Sequence, residues 1–397
     1  MNVIETKKAN PVIVIILLAI MAGCGGGGKQ PTSIYPIVDV TKSYPEKELI
    51  LQDLVDIEYI ALETNDEFIN QGIVGAIGKE IMAVINPRNG DIFIYDRNGK
   101  ALRKINRKGQ GGEEYMNLIS IALDEDNEEL FVIDTKKIMV YDIYGKFKRS
   151  LQASYRNIYN FDSESFICHD ISFDLDVEET DKPPFVIISK QDGSIMIEIY
   201  LACQQKRERI RKITRNDLNV QAFSSNFPIT SIIPWHENWI LTVYSNDTIF
   251  NYCPDHSRHP LMVRFPSILS NNPEAFLSLG ILTERYWFLQ TEKTEPEVVG
   301  STPNDVFVLW PKTFLMYDRQ EKAIYEYKVY NDDFSNQIAV EMSQKTINDE
   351  IAFSQKIEAN HLVEAYGKGE LKGRLKEIAA ELDAEDNPVI MLAKYKK

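Results

Sequence analysis

Residues 92–100 read Ile-Phe-Ile-Tyr-Asp-Arg-Asn-Gly-Lys, and this stretch decides the fold because its pattern recurs along the chain. It returns at residues 138–146 as Ile-Met-Val-Tyr-Asp-Ile-Tyr-Gly-Lys, 46 residues later. In both copies a run of strand-forming residues leads into a turn whose glycine suits the positive φ of a tight hairpin. A third copy, Phe-Leu-Met-Tyr-Asp-Arg-Gln-Glu-Lys, occupies residues 314–322. The chain is therefore predicted to repeat one strand–turn–strand unit.

Further hairpin patterns between these copies give the number of repeats. Residues 185–201 and 239–252 each read as two strands joined by a short polar turn, and residues 389–394 read as a single strand. The resulting units centre near residues 95, 141, 197, 249, 317 and 391. A period of about 45 residues with four short strands per unit is typical of β-propeller blades. The sequence thus predicts an all-β fold, a six-bladed β-propeller over residues 34–397.

The two ends of this predicted ring raise the question of how it closes. Residues 34–40 and 389–394 both read as strands, and we expect them to pair within the sixth blade, which would remove exposed sheet edges. Between residues 371 and 382 apolar side chains recur at helical spacing. Residues 369–387 are therefore predicted to form a short helical insertion in the last blade, packed on the rim of the propeller. A helix that binds a partner is the alternative.

Two segments carry a resemblance to known proteins. Residues 59–66 and 105–115, together with the Tyr-Asp-x-x-Gly-Lys turns, resemble the six-bladed β-propeller lipoproteins of Bacteroidetes. They are also similar to NHL-type repeats, whose loops carry a Gly-rich stretch that ends in Glu and an aromatic residue. The resemblance spans residues 34–397 and is sharp over residues 55–151. It implies the fold and a location in the cell envelope, but no activity and no catalytic residue.

The first residues have the pattern of an export signal. Lys7 and Lys8 precede an apolar run at residues 12–21, and Cys24 follows Ala22 and Gly23. The run is too short to span a bilayer, and small residues at its end are typical of a cleavage site. This arrangement resembles a bacterial lipobox, which predicts a signal peptide at residues 1–23 and acylation of Cys24. Residues 24–33 would then be a flexible tether; a plain secretory signal with an incidental cysteine is the alternative.

The charge of the chain limits its partners. The formal net charge is −15, which makes nucleic acid an improbable ligand because nucleic-acid-binding surfaces are basic. The predicted contact with the membrane is therefore the lipid anchor. We expect an outer-membrane lipoprotein, on the periplasmic face rather than the cell surface.

The Gly-rich connection at residues 107–115 is the candidate ligand-face loop. It lacks the Gly-Lys-Ser/Thr ending of a phosphate-binding loop and joins strand to strand, so a crossover between blades is predicted. Connecting loops on a rigid scaffold often carry function. The candidate residues are Arg107, Lys108, Gln110, Glu113 and Tyr115.

Two other clusters of side chains are candidate binding sites. Arg207, Arg209 and Arg211 would project on one face of a strand, where they could bind an anionic glycan or phosphate or simply form a solvated surface. Residues 253–259 hold one cysteine, one aspartate and two histidines, which could ligate a metal or cluster by chance in an exposed hairpin. We expect no metal and no cofactor.

The predicted function follows from the fold and from the absence of a nucleophile–base pattern in the sequence. We expect a binding or scaffold module for a protein, peptide or glycan rather than an enzyme. The alternative is a metal-dependent lyase or hydrolase, lactonase-like, working at the central channel. A structural subunit of an outer-membrane uptake complex is a third possibility. Three or more converging His, Asp, Glu or Asn side chains at the channel mouth would favour the enzyme.

Overall fold

The computed structural model describes most of the chain from residue 35 onward. The described residues are 35–153, 155–170, 172–173, 182–201, 210–215, 220–225, 231–270, 275–293, 295, 297–299 and 307–396. Among them, no helix is both long enough and apolar enough to cross a membrane.

The N-terminal part of the described chain contributes short elements to later blades. They are β1 (Ile37–Asp39), β2 (Glu46–Ile50), the single-turn helix α1 (Leu51–Leu54) and β3 (Val55–Ala61).

Three regular blades follow, each a four-stranded antiparallel sheet in sequence order. Blade one contains β4 (Ile73–Ile77), β5 (Ile81–Asn86), β6 (Asp91–Asp96) and β7 (Ala101–Asn106). Blade two contains β8 (Ser120–Asp124), β9 (Glu129–Ile133), β10 (Ile138–Asp142) and β11 (Phe147–Leu151). Blade three contains β12 (Arg156–Asn160), β13 (Ser165–His169), β14 (Phe185–Ser189) and β15 (Ile195–Ile199). The middle strands are almost wholly buried because neighbouring blades cover both of their faces.

Blades four and five carry extra strands and two separate hairpins. The hairpins are β16 (Ile210–Arg215) with β17 (Val220–Ser225), and β24 (Glu297–Val299) with β25 (Phe307–Leu309). Blade four contains β18 (Ile232–Trp235), β19 (Asn238–Leu241), β20 (Thr248–Tyr252) and β21 (Arg258–Phe265). Blade five contains β22 (Ala275–Leu282), β23 (Tyr286–Lys293), β26 (Lys312–Asp318) and β27 (Ala323–Asn331), with β28 (Ile338–Ala339) at its edge. The outer strands β21 and β27 each gain a parallel partner, β1 and β2 respectively.

The sixth blade closes the ring, and it corrects the predicted pairing. Its order is β29 (Ile351–Ile357), β30 (Val389–Tyr395) and β3. The predicted partner of the last strand, residues 34–40, instead supplies β1 to blade four. β3 is the N-terminal strand that pairs with β30, over its whole length from Val55↔Tyr395 to Ala61↔Val389. The mechanism of closure was right and the strand was wrong: an N-terminal strand pairs with the last strand, and that strand is β3.

The helical insertion is confirmed, and it begins earlier than the sequence predicted. Between β29 and β30 lie α2 (Ala359–Gly367) and α3 (Gly373–Ala379). Leu371, Leu375 and Ile378 are buried against Val389 and Ala61 of the same blade. The helical pair therefore packs on the rim of the propeller, as expected from the apolar spacing.

The antiparallel order of the strands gives the ring two faces. The turn face carries the connections from first to second and from third to fourth strand, such as residues 78–80 and 97–100. The crossover face carries the links between blades, such as residues 107–119. On the turn face the Glu125 carboxylate accepts hydrogen bonds from the backbone N–H groups of Glu80 and Ile81, 3.0 Å each, and so joins blade two to blade one.

Candidate functional site

The predicted ligand-face loop lies on the crossover face and is held by two buried tyrosines. The Tyr115 hydroxyl donates to the carbonyl of Gly90 at 2.6 Å and accepts from the N–H of Arg107 at 3.1 Å. The Tyr141 hydroxyl donates to the carbonyl of Glu113 at 2.8 Å. Both rings are fully buried and pack edge to face. Their hydroxyls therefore hold the loop backbone from the interior of the propeller.

The five candidate residues of this loop separate into three groups. Tyr115 is inaccessible, and its role is to hold the loop. Arg107 and Lys108 donate to the carbonyls of Gly145 and Arg88, at 3.0 and 2.6 Å. Gln110 and Glu113 are exposed, and their side chains make no hydrogen bond with any other described part of the chain.

Two other predictions fall largely beyond what the structure describes. Cys24, Arg207 and Arg209 lie outside the described residues. Arg211 lies in β16, of which only the backbone is described.

The side chains of residues 253–259 have partners other than a metal. The His256 ring lies 2.8 Å from the Tyr252 hydroxyl. Ser257 donates to Asp255 at 2.6 Å and lies 3.1 Å from the His259 ring. Across the part of the chain that the structure describes, no three His, Cys, Asp or Glu side chains converge as metal ligands would.

Within the described ranges no innermost strand belongs to the sixth blade, and an irregular stretch takes its place. β29 runs from the turn face to the crossover face, the direction of a second strand in the other blades. Residues 340–348, which we call the crossing segment, precede it. The N–H of Val340 donates to Val329 of the outer strand β27 at 2.8 Å. The segment thus starts at the outside of blade five and moves inward.

The crossing segment spans the central channel. The Met342 carbonyl accepts from the N–H of Ile281 in blade five at 2.8 Å. The Thr346 carbonyl accepts from the Tyr159 hydroxyl in blade three at 2.8 Å. The Asn348 side chain donates to the Ile77 carbonyl in blade one at 3.3 Å. Since these three contacts lie on the inner strands of alternate blades of a six-membered ring, the segment must cross the axis near the turn face.

Gly280 makes room for this segment. A Cβ there would overlap the carbonyl oxygen of Met342 and crowd the backbone of Ser343. The strand also shifts register between Leu279 and Leu282, which turns the Ile281 N–H toward the segment.

Aromatic and basic side chains surround the segment inside the ring. The Tyr395 ring packs edge to face on Trp235 of blade four, with ring centroids 5.7 Å apart. The Lys345 ammonium lies 5.2 Å from the centre of the Tyr159 ring. Burial raises the pKa of Tyr159 and of Tyr395.

Comparison with known proteins places the chain in a family. Residues 35–394 match the profile of a family described as "Domain of unknown function (DUF4934)". The chain is a member of the DUF4934 family. No curated protein matches its sequence significantly.

Comparison with solved structures bears on the fold of this DUF4934 protein. A "Putative exported protein" from Bacteroides fragilis is 15% identical, with a TM-score of 0.60 over 91% of this chain and 100% of that chain. A member of the duf4221 family from Bacteroides vulgatus is 10% identical, with a TM-score of 0.47 over 86% of this chain and 98% of that chain. The first similarity supports the six-bladed fold and nothing finer.

Sequence reasoning missed the channel residues of this DUF4934 member. Lys345 and Thr346 lie in a polar stretch between two strand patterns, which the sequence does not distinguish from an ordinary connection. The available signal was indirect: the last unit shows too few strands before residue 389 to fill a blade. Their contacts with Tyr159 of blade three could be found only from the folded ring.

Proposed function

We propose that this DUF4934 protein is a binding or scaffold module that works outside the cytoplasm and presents its crossover face to a protein, peptide or glycan. The observation that carries the proposal is the crossover loop at residues 107–115. Its backbone is fixed by buried tyrosines, and its tip carries the exposed side chains of Gln110 and Glu113. A loop already held in one conformation loses less entropy when it binds a partner.

The amide of Gln110 and the carboxylate of Glu113 favour a hydrogen-bonding partner. An amide both donates and accepts hydrogen bonds, and an ionised carboxylate accepts them. Peptide N–H groups and sugar hydroxyls supply the matching donors. The formal charge of −15 disfavours polyanions, so nucleic acid is not proposed as a partner.

The proposal includes a lipid anchor at Cys24, with residues 1–23 removed as a signal peptide. The support is the sequence alone: two lysines, an apolar run and a cysteine preceded by Ala22 and Gly23. We further propose the outer membrane, with the propeller on its periplasmic face.

Metabolic labelling with palmitate tests the anchor. The wild-type chain should incorporate label, and the Cys24→Ala variant should incorporate none. Equal labelling of the two chains would contradict the anchor and leave the binding proposal to be judged separately.

Photo-crosslinking in intact cells tests the binding face. A diazirine-bearing residue at position 110 or 113 should give a discrete crosslinked product, because diazirines react with both proteins and sugars. The matched control is position 98, since Asn98 is also exposed but lies on the turn face of the same blade. No product at position 110 or 113, or the same product at position 98, would refute the proposal.

A further inference from the structure

We propose that the central channel holds an anion-binding site at Lys345, which accepts a small molecule carrying a carboxylate or phosphate group. This site is separate from the crossover loop, and the inference does not rest on the proposed function. The site is inferred from the position of Lys345 in the ring, from the lack of a carboxylate partner among the described residues, and from the buried hydroxyl of Ser343 on the same segment.

Lys345 is held in the interior of the ring by its neighbours on the crossing segment. Met342 bonds to blade five, Thr346 to blade three and Asn348 to blade one. The backbone on both sides of Lys345 is therefore fixed. Its ammonium faces the ring of Tyr159, 5.2 Å from the centroid.

The described part of the chain provides no carboxylate that balances the charge of Lys345. Throughout the described residues, none lies within ion-pair distance of its ammonium, and the burial of Lys345 inside the ring lowers its pKa. Lys190 shows the usual arrangement for an interior lysine: it contacts Asp124 at 2.7 Å and the carbonyl of Asp162 at 2.8 Å. A charge that is only partly solvated gains from a paired counter-ion. Lys345 has an aromatic face as its partner, and an anion would complete the site.

Solvent can reach this site even though protein surrounds it. The Lys345 side chain is exposed to solvent, while Thr346 beside it is fully buried. A side chain that is both solvent-accessible and deep within the ring lies on a channel. The crossing segment narrows that channel, so the ligand must be small.

Hydroxyl side chains accompany Lys345 on the crossing segment, at Ser343 and Thr346. Among the described residues, the buried hydroxyl of Ser343 has no hydrogen-bond partner. Thr346 and Tyr395 are close enough for their hydroxyls to influence one another. Buried polar groups are normally satisfied, and a hydroxyl can donate to an anionic oxygen or to a water beside it. The Lys345 ammonium and the Ser343 hydroxyl are thus two hydrogen-bond donors carried by the crossing segment.

Thermal unfolding with inorganic phosphate and with acetate tests the site, using chloride at equal ionic strength as the reference. A ligand that binds only the native state raises the melting temperature in a saturable way. We expect such a rise for wild type with at least one anion. Lys345→Met should weaken the affinity roughly tenfold or more, the usual effect of losing a hydrogen bond to a charged group. Lys345→Arg should retain binding.

The controls separate binding from folding. Lys345→Met should fold normally in chloride, since no carboxylate of the described residues loses an ion-pair partner. Lys79→Met serves as the surface control, because Lys79 is exposed on the turn face. No saturable rise in wild type, or an equal rise in Lys345→Met, would overturn the proposal.

Amine labelling of the wild-type protein is a second, independent test of anion binding at Lys345. Reductive methylation with formaldehyde, followed by peptide mass spectrometry, measures the reactivity of each lysine. Phosphate or acetate, whichever raises the melting temperature, should slow the labelling of Lys345 and leave Lys79 unchanged. Equal labelling of Lys345 with and without that anion would also contradict the site.

Discussion

At the scale of single residues, buried polar groups in this protein are satisfied by several partners at once. Asp318 is fully buried and contacts Arg285 at 2.9 Å and Lys47 at 3.1 Å. It also accepts from the N–H groups of Gln320 and Glu321. Burial alone would raise the pKa of Asp318, but these hydrogen bonds hold it far below its usual value. The ionised carboxylate therefore stabilises the outer strands of blade five.

Asp318→Asn should destabilise the protein in a pH-dependent way. At pH 7 we expect a loss of roughly 2–3 kcal/mol in the free energy of unfolding, because two cations lose their buried partner. The folded pKa lies below the unfolded one, so this stabilisation is present above about pH 4 and disappears as the pH falls further. Denaturant unfolding of both proteins at pH 7 and pH 3 measures this difference in the free energy of unfolding. The control is Glu321→Gln, since Glu321 is exposed, and we expect this change to lower the free energy of unfolding by less than about 1 kcal/mol. A loss that is equal at both pH values would contradict this account.

Gly280→Ala tests the space that the crossing segment needs. The added methyl group would overlap the Met342 carbonyl, so we expect a loss of about 1–3 kcal/mol. Gly112→Ala is the control, since nothing lies within 4 Å of its added Cβ. Thermal unfolding measures both variants. If the two substitutions lower the stability equally, the crossing segment does not lie against Gly280.

At the scale of elements, the repeated turn shows what sequence can predict. Asp96 and Asp142 each accept hydrogen bonds from two backbone N–H groups of their own turn, and Gly99 and Gly145 have φ of 84° and 88°. These contacts are local, so the sequence pattern reveals them. The third copy has no glycine and places Lys322 at a φ of 52° instead. Its place in the fold was still recognisable from the Tyr-Asp pair.

Tyr115→Phe should loosen the crossover loop. The change leaves the Gly90 carbonyl and the Arg107 N–H without their hydroxyl partner, which we expect to cost about 1–3 kcal/mol. Hydrogen exchange of the amides in residues 107–115 should become faster, while blade four stays unchanged. Tyr144→Phe is the matched control because Tyr144 is exposed. Unchanged exchange in the loop would show that Tyr115 does not hold it.

At the scale of the whole molecule, local patterns determine the blades and long-range pairing determines the ring. The six units were predictable because each repeats its own hairpins. Closure was predictable in principle, since an open ring exposes edges. The sequence did not predict that β3, and not residues 34–40, closes the ring, because both segments read as short strands. The same limit hid Lys345, whose surroundings come from blades three, five and six.

The central structural claim is that β3 closes the ring against β30, and paired truncations test it most directly. The reference chain spans residues 35–397; one truncation starts at residue 51, which removes β1 and β2, and another starts at residue 62, which also removes β3. A third, 35–388, removes β30.

We expect the chain that starts at residue 51 to keep one cooperative transition as a monomer. The chains that lack β3 or β30 should melt roughly 10 °C lower or more, or fail to fold, because they expose a strand edge and open the ring. If the chain that starts at residue 62 melts at the same temperature as the chain that starts at residue 51, β3 does not close the propeller.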